Sequence, residues 1–228
     1  VKDLDPAFNS LKAHLLYRWL SHDTARGIYN GERFMTYVKL PRQGSYLRSE
    51  WRKEGAEAWK HPADPRRDFR SVTGLPPVGN DEAVVRAYLL HILKDAEDYK
   101  TYAPYLADHW LKAVFAESKI VNGIGDPERW ASLLTPSAFQ ALKDRVDVEF
   151  DLTSRESFAI GETVKLRLHL KNVETLIVKV FEVNTLNYYL ERGTEVSTDL
   201  KLDGLVTNHE RTVTYKVAPQ RRVARDFD

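Results

Sequence analysis

The chain has 228 residues, is 43% hydrophobic and balances 34 basic against 33 acidic side chains, the profile of one large or two modest globular domains. A net charge of +1 excludes the strongly basic face of a dedicated nucleic-acid binder, and no apolar run approaches the ~20 residues of a membrane-spanning helix. The chain has no cysteine, which excludes disulfides, thiolate metal sites and cysteine nucleophiles and leaves the compartment open. Val1-Lys2-Asp3 carries neither an initiator methionine nor an apolar leader, the pattern of a trimmed chain.

Residues 1–21 read as an amphipathic helix. Asp5 caps it, Pro6 takes its first turn, and Leu11, Leu15, Leu16, Trp19 and Leu20 recur at helical spacing. His22-Asp23 at its exit is a possible catalytic pair by residue type, but sequence neighbours on a helix do not face each other. Residues 24–80 are broken by glycine and proline. Within them a helix is expected from Ser49 to Lys60, with Trp51 and Trp59 on one side and Gly55 weakening its middle. Arg66-Arg67-Asp68-Phe69-Arg70 mixes basic residues with one ring, a pattern able to contact phosphate and stack bases. One basic cluster in a neutral chain reads better as a solvated loop whose Phe69 docks on the helices.

From Asn80 the helical signal strengthens. Asn80 or Asp81 can cap, and Val84, Val85, Tyr88, Leu89, Ile92 and Leu93 form a wide apolar stripe. His91 and Asp95 share a face, although a divalent metal needs further donors and no HExxH pattern is present. A second helix is expected from Pro104 to Lys119, stopped by Asn122-Gly123. Asp126-Pro127 and Thr135-Pro136 open two short helices near 127–134 and 136–144. Gly123-Ile124-Gly125 lacks the spacing of a phosphate-binding loop and reads as a turn.

At Lys143-Asp144 the period changes from about 3.6 to 2. Val146, Val148 and Phe150 alternate with charged residues as a first strand. In Thr163–Asn184, Val164, Leu166, Leu168 and Leu170 alternate with Lys165, Arg167 and His169, and Leu176–Phe181 follows a Lys171-Asn172 break. This reads as a strand–turn–strand unit. Further strands are expected at Leu186–Leu190, Val196–Leu202 and Thr212–Val217, with Asp203-Gly204 as a turn. The tail Arg221–Asp228 reads as a strand cut at its beginning, whose unpaired edge suggests a fragment. The expected architecture is α+β: a helical domain over 1–144, then an antiparallel macroglobulin- or Ig-like β-sandwich over 145–228, incomplete at its C-terminus.

The run Phe158–Val164 with its Gly161-Glu162 turn, the alternating strand after it, and Leu176–Phe181 together resemble the macroglobulin-type sandwich repeats of large bacterial α2-macroglobulin-like proteins. The resemblance covers none of the helical half. It implies a non-catalytic scaffold module of a larger, periplasmic or extracellular protein. Its partners would be other domains of the parent or a strand that completes the sheet. The thioester pattern Cys-Gly-Glu-Gln is absent, so trapping chemistry does not transfer.

Two other readings compete. A hydrolase with a site in the helical half would draw on His22, Asp23, His91, Asp95, Asp108 and His109, but no GxSxG is present and convergence cannot be read from spacing. A carbohydrate- or peptide-binding protein would use exposed aromatics. Trp51 and Trp59 are the choices among the five tryptophans, and Tyr188-Tyr189, read as strand neighbours, put one ring on each face. No catalytic residue, metal ligand or cofactor is assigned. The partner is expected to be protein, with no nucleic acid and no membrane span.

Overall fold

Asp5 accepts a hydrogen bond from the Ala7 N–H at 2.8 Å and starts a 3₁₀ turn, Pro6–Phe8, which runs into helix α1, Asn9–Ala25. The computed structural model describes residues 4–54, 58–155, 157–197, 200, 202 and 206–228. Helices α2 (Gly31–Val38), α3 (Ser49–Glu54), α4 (Arg70–Thr73) and α5 (Glu82–Leu93) follow. Of the helix expected over Ser49–Lys60, α3 forms its first half and a 3₁₀ turn, Ala58–Lys60, its end; Gly55 lies outside the described residues.

The stripe on α5 forms the centre of the helical core. Val85, Tyr88, Leu89 and Leu93 are buried with Leu16 and Leu20 of α1, Phe34, Tyr37 and Val38 of α2, and Leu106. Helix α6 runs over Asp108–Asn122, four residues later than the sequence pattern suggests. The Tyr105–Ala107 backbone is already engaged: Tyr105 O accepts from Arg48 N, and Ala107 N donates to Tyr46 O, both at 2.9 Å. This bridge fixes an extended segment that a helix would have to break. Gly123, at φ +66°, ends α6 in the left-handed cap that only glycine enters cheaply. Helices α7 (Pro127–Ala131) and α8 (Pro136–Asp144) begin at the Asp126 and Thr135 caps, as their sequence requires.

Strands β1 (Asp147–Phe150), β2 (Leu166–Lys171) and β3 (Thr175–Val180) come next. Residues Thr185–Arg192 then form helix α9, where a strand was expected. The Asn184 side chain caps it by accepting from Asn187 N at 3.0 Å, and Gly193 closes it at φ +68°. Leu186, Tyr189 and Leu190 satisfy a 3.6 period at least as well as a period of two, and the caps settle it. Strands β4 (His209–Thr214) and β5 (Arg222–Phe227) complete the chain. Of the strand expected at Val196–Leu202, Val196, Ser197, Leu200 and Leu202 are described and form no strand; its other residues and the Asp203-Gly204 turn lie outside the described residues.

All strand pairings are antiparallel. One sheet has the order β1-β2-β5 and the other pairs β3 with β4. So β2 and β3, expected as partners across a turn, separate into different sheets. Asn172, at φ 54°, follows β2 immediately, and Asn tolerates that left-handed turn of the backbone. The tail is no orphan either: β5 pairs along its whole length with β2, from Leu166 opposite Phe227 to Lys171 opposite Arg222. The chain forms two compact units, Val1–Asn172 with Pro219–Asp228, and Val173–Ala218. The fold is α+β, a helical region followed by antiparallel sheets.

Arg42 and Asp81 form a buried ion pair in the helical core. Arg42 has no solvent exposure, and its Nε donates to Asp81 Oδ2 at 2.8 Å. Its remaining N–H groups reach the carbonyls of Tyr37, Val38 and Leu40 and the Tyr46 hydroxyl, and Tyr37 O–H donates to the same Asp81 oxygen at 2.6 Å. Asp81 heads α5 but makes no side-chain cap; Asn80 Oδ1 accepts from Glu82 N instead. His14 of α1, only 2% exposed, meets Thr73 Oγ1 at 3.2 Å and the edge of Phe69, tying the 69–73 segment to α1. Burial, and then the Arg18 charge, pull the His14 pKa below 6.5.

Removing one partner of a buried ion pair strands the other, so Asp81→Ala should cost about 3–5 kcal/mol in urea unfolding. Because folding lowers the His14 pKa, the unfolded chain binds that proton more tightly. Its stabilising share is therefore complete above about pH 6.5 and lost as pH falls below it. Melting temperatures between neutral pH and about pH 5 should decline less steeply in His14→Gln than in the parent.

Candidate functional site

Helix α9 buries none of its residues. Leu186, Tyr189 and Leu190 are 66%, 52% and 71% exposed, and their i, i+3, i+4 spacing puts them on one face. Tyr188 is partly buried. Both rings were expected on opposite faces of a strand; on a helix they stand about 100° apart, and Tyr189 joins the leucines. A short, well-capped helix with an open apolar stripe is the form in which helices enter grooves on protein partners.

The tryptophans are distributed differently from expectation. Trp51 is 8% exposed and meets Trp59 edge-on at 5.4 Å and Tyr105 at 5.4 Å, so it fills a wall and is not open to a sugar. Trp59, partly buried, completes that aromatic group. The open indole is Trp19 of α1, 48% exposed, with the Arg33 guanidinium 3.5 Å from its centroid. Arg33 is itself held by Asp23. A helical projection could have found this: Ala13, Leu16 and Leu20 define the buried line of α1, and Trp19 sits on its flank. Trp and Arg in such contact are the residue types that dominate protein interfaces.

The histidine and aspartate candidates do not assemble into an acid–base centre. Asp23 is taken by Arg33, and His22 beside it is exposed. Asp108 pairs with Lys112 within α6, and His109 is exposed. His91 stacks on Tyr29 at 3.8 Å with its pKa lowered by burial and then by Lys94. Among the described residues no three His, Asp or Glu side chains gather as a metal site.

One pair escaped the sequence reading because strand pairing creates it. His169 Nε2 lies 2.9 Å from Asp151 Oδ2. The Thr153 hydroxyl and N–H hold the Asp151 carboxyl far below the usual range, and His169 adds to this. The Thr153 hydroxyl is spent on the carboxylate, so the trio ties a turn to β2 and offers no nucleophile.

The family described as the Actin-binding protein F N-terminal domain matches residues 1–146, and that described as the AbpF first immunoglobulin-like domain matches residues 176–228. Actin-binding protein F of Dictyostelium discoideum is 29% identical over 230 residues, covering 100% of this chain. The chain spans 10% of that relative's length. No solved structure matches. The macroglobulin resemblance is thereby overturned: it rested on strand alternation that antiparallel sandwiches have in common, whereas the match over 1–146 covers the half that the resemblance left out. The parentage and compartment it implied go with it.

Proposed function

The chain belongs to the Actin-binding protein F family, and from that premise we propose that it is a non-catalytic interaction module whose protein partner is actin. The observation that carries this reading is the family match across the helical region, residues 1–146. The open aromatic and apolar side chains described above support it, because they are contact chemistry without acid–base chemistry. We assign the contact to the α9 stripe, with Tyr189 as its aromatic anchor and Tyr188 as its flank. Trp51 and Trp59 act in this reading from beneath the surface, as the wall that holds their loop. We keep a domain boundary at residue 144 in this reading, supported by the end of α8 at Asp144 and the opening of β1 at Asp147, although the compact units divide after Asn172.

The 228-residue chain should pellet with actin filaments in co-sedimentation, and Tyr189→Ala/Leu190→Ala should weaken binding by about tenfold or more, the scale of an interface hot spot. Both side chains are exposed, so the double variant should keep the parent's melting temperature. A parent chain that stays in the supernatant refutes the actin assignment. A variant that pellets as well as the parent refutes the α9 assignment alone.

A further inference from the structure

Several arginines of this chain are matched to carboxylates: Arg33 with Asp23, Arg86 with Glu117, Arg155 with Glu162, Arg167 with Asp226, Arg222 with Glu149. Arg66, Arg67 and Arg70 differ from these and lie together within five residues. All three are exposed, and among the described residues none has an ion pair. The acids beside them bond backbone rather than these guanidinium groups: Asp64 Oδ1 accepts from Arg66 N at 2.9 Å, and Asp68 Oδ1 accepts from Arg70 N at 2.8 Å. Each carboxylate thus shapes the loop and leaves the neighbouring guanidinium without a partner.

The loop that carries them is fixed at several points. Asp64 N donates to Ser10 Oγ at 3.0 Å, and Pro65 O accepts from Val78 N and Gly79 N at 3.1 Å each. Phe69 packs edge-on against buried His14. Arg67 lies 5.5 Å from the Phe69 ring centroid, a contact that limits where its forked N–H groups point. Arg66 also stands on the rim of a groove of about 680 Å³ walled by Gln43, Ser45 and Asn80. Of the groove's two acids, Asp81 is paired with Arg42 and Tyr37, while Asp64 accepts from the Arg66 amide with one oxygen. A fixed display of unpaired guanidinium forks beside an amide-lined groove suits an extended segment bearing carboxylates.

We infer that the 66–70 loop and the adjoining groove form a docking site for an acidic protein segment. The forks take its carboxylates, and Gln43, Ser45 and Asn80 take its peptide groups. An anionic membrane or a nucleic acid is the weaker fit: three guanidinium groups interspersed with Asp64 and Asp68 make too small a field for a sequence-independent polyanion contact. The site uses no residue of α9, and its test does not involve actin, so either assignment can fail alone.

Fluorescence anisotropy of the intact chain with a fluorescein-labelled oligopeptide of alternating Glu and Asp, in about 50 mM salt where screening is weak, reads the site directly. The parent should bind. Arg67→Glu/Arg70→Glu should weaken binding by about tenfold or more through like-charge repulsion, with an unchanged circular dichroism spectrum. Lys216→Glu, an exposed cation elsewhere, should bind as the parent does. Equal losses in the Lys216 and arginine variants, or no binding by the parent, overturn the proposal. Tighter binding to phosphatidylserine vesicles or duplex DNA than to the peptide overturns the choice of a protein segment.

Discussion

Glu117 is the joint on which the larger unit turns. It lies on α6, is 6% exposed, and takes Arg86 of α5 on one oxygen and Arg145 on the other, the latter at 2.9 Å. Arg145 follows α8 directly and also grips Asp147 of β1 through both Nε and Nη2, while its carbonyl accepts from buried Lys171 at the end of β2. One carboxylate therefore ties two helices to the first two strands. Burying a charge is costly unless it is paired and hydrogen-bonded, so these elements are restricted to arrangements that keep Glu117 satisfied. The sheet follows from this: β2, anchored by Lys171, is the central strand on which both β1 and β5 pair.

The Arg42–Asp81 centre plays the corresponding role inside the helices. It joins the end of α2, the loop after it and the head of α5, and burial keeps Tyr37 a hydrogen-bond donor by raising its pKa well above 10. Such a centre contributes more to choosing one arrangement than to raw stability, since an apolar replacement of the whole set can be neutral or better. With the interior charges committed in this way, the chemistry left at the surface is that of contact. Trp19 lies under Arg33, α9 presents an open stripe, and Arg66, Arg67 and Arg70 stand together on one loop without counter-ions.

Much of the helical half was legible because its signals are local. Asp5, Asp126 and Thr135 cap where a capping side chain precedes a proline, and the α5 stripe is buried as its spacing requires. What was not legible depends on tertiary pairing. The α6 start is displaced by a backbone bridge to residues 46–48, and no local pattern assigns β2 and β3 to different sheets. The alternation of Val148 and Phe150 foretold a strand but not its setting, for both side chains are half or more exposed. Leu186–Leu190 fits two periods, and only Asn184 and Gly193 read together as caps decide for a helix. Of the candidate site residues, Tyr189 keeps the exposure that contact needs, while Trp51 loses it to the packing of Trp59 and Tyr105.

The measurement that bears most directly on this account is native-state hydrogen exchange of the parent chain and of Glu117→Ala. If Glu117 mounts the sheet on the helices, the amides of α6 and of β2 from Leu168 to Lys171 should share one high protection free energy in the parent. Both should lose about 1–3 kcal/mol together in the variant, the scale of hydrogen bonds to a charged group, since Arg86 and Arg145 are partly solvated and Arg145 keeps Asp147. Loss confined to α6, with β2 exchanging as slowly as before, would contradict it.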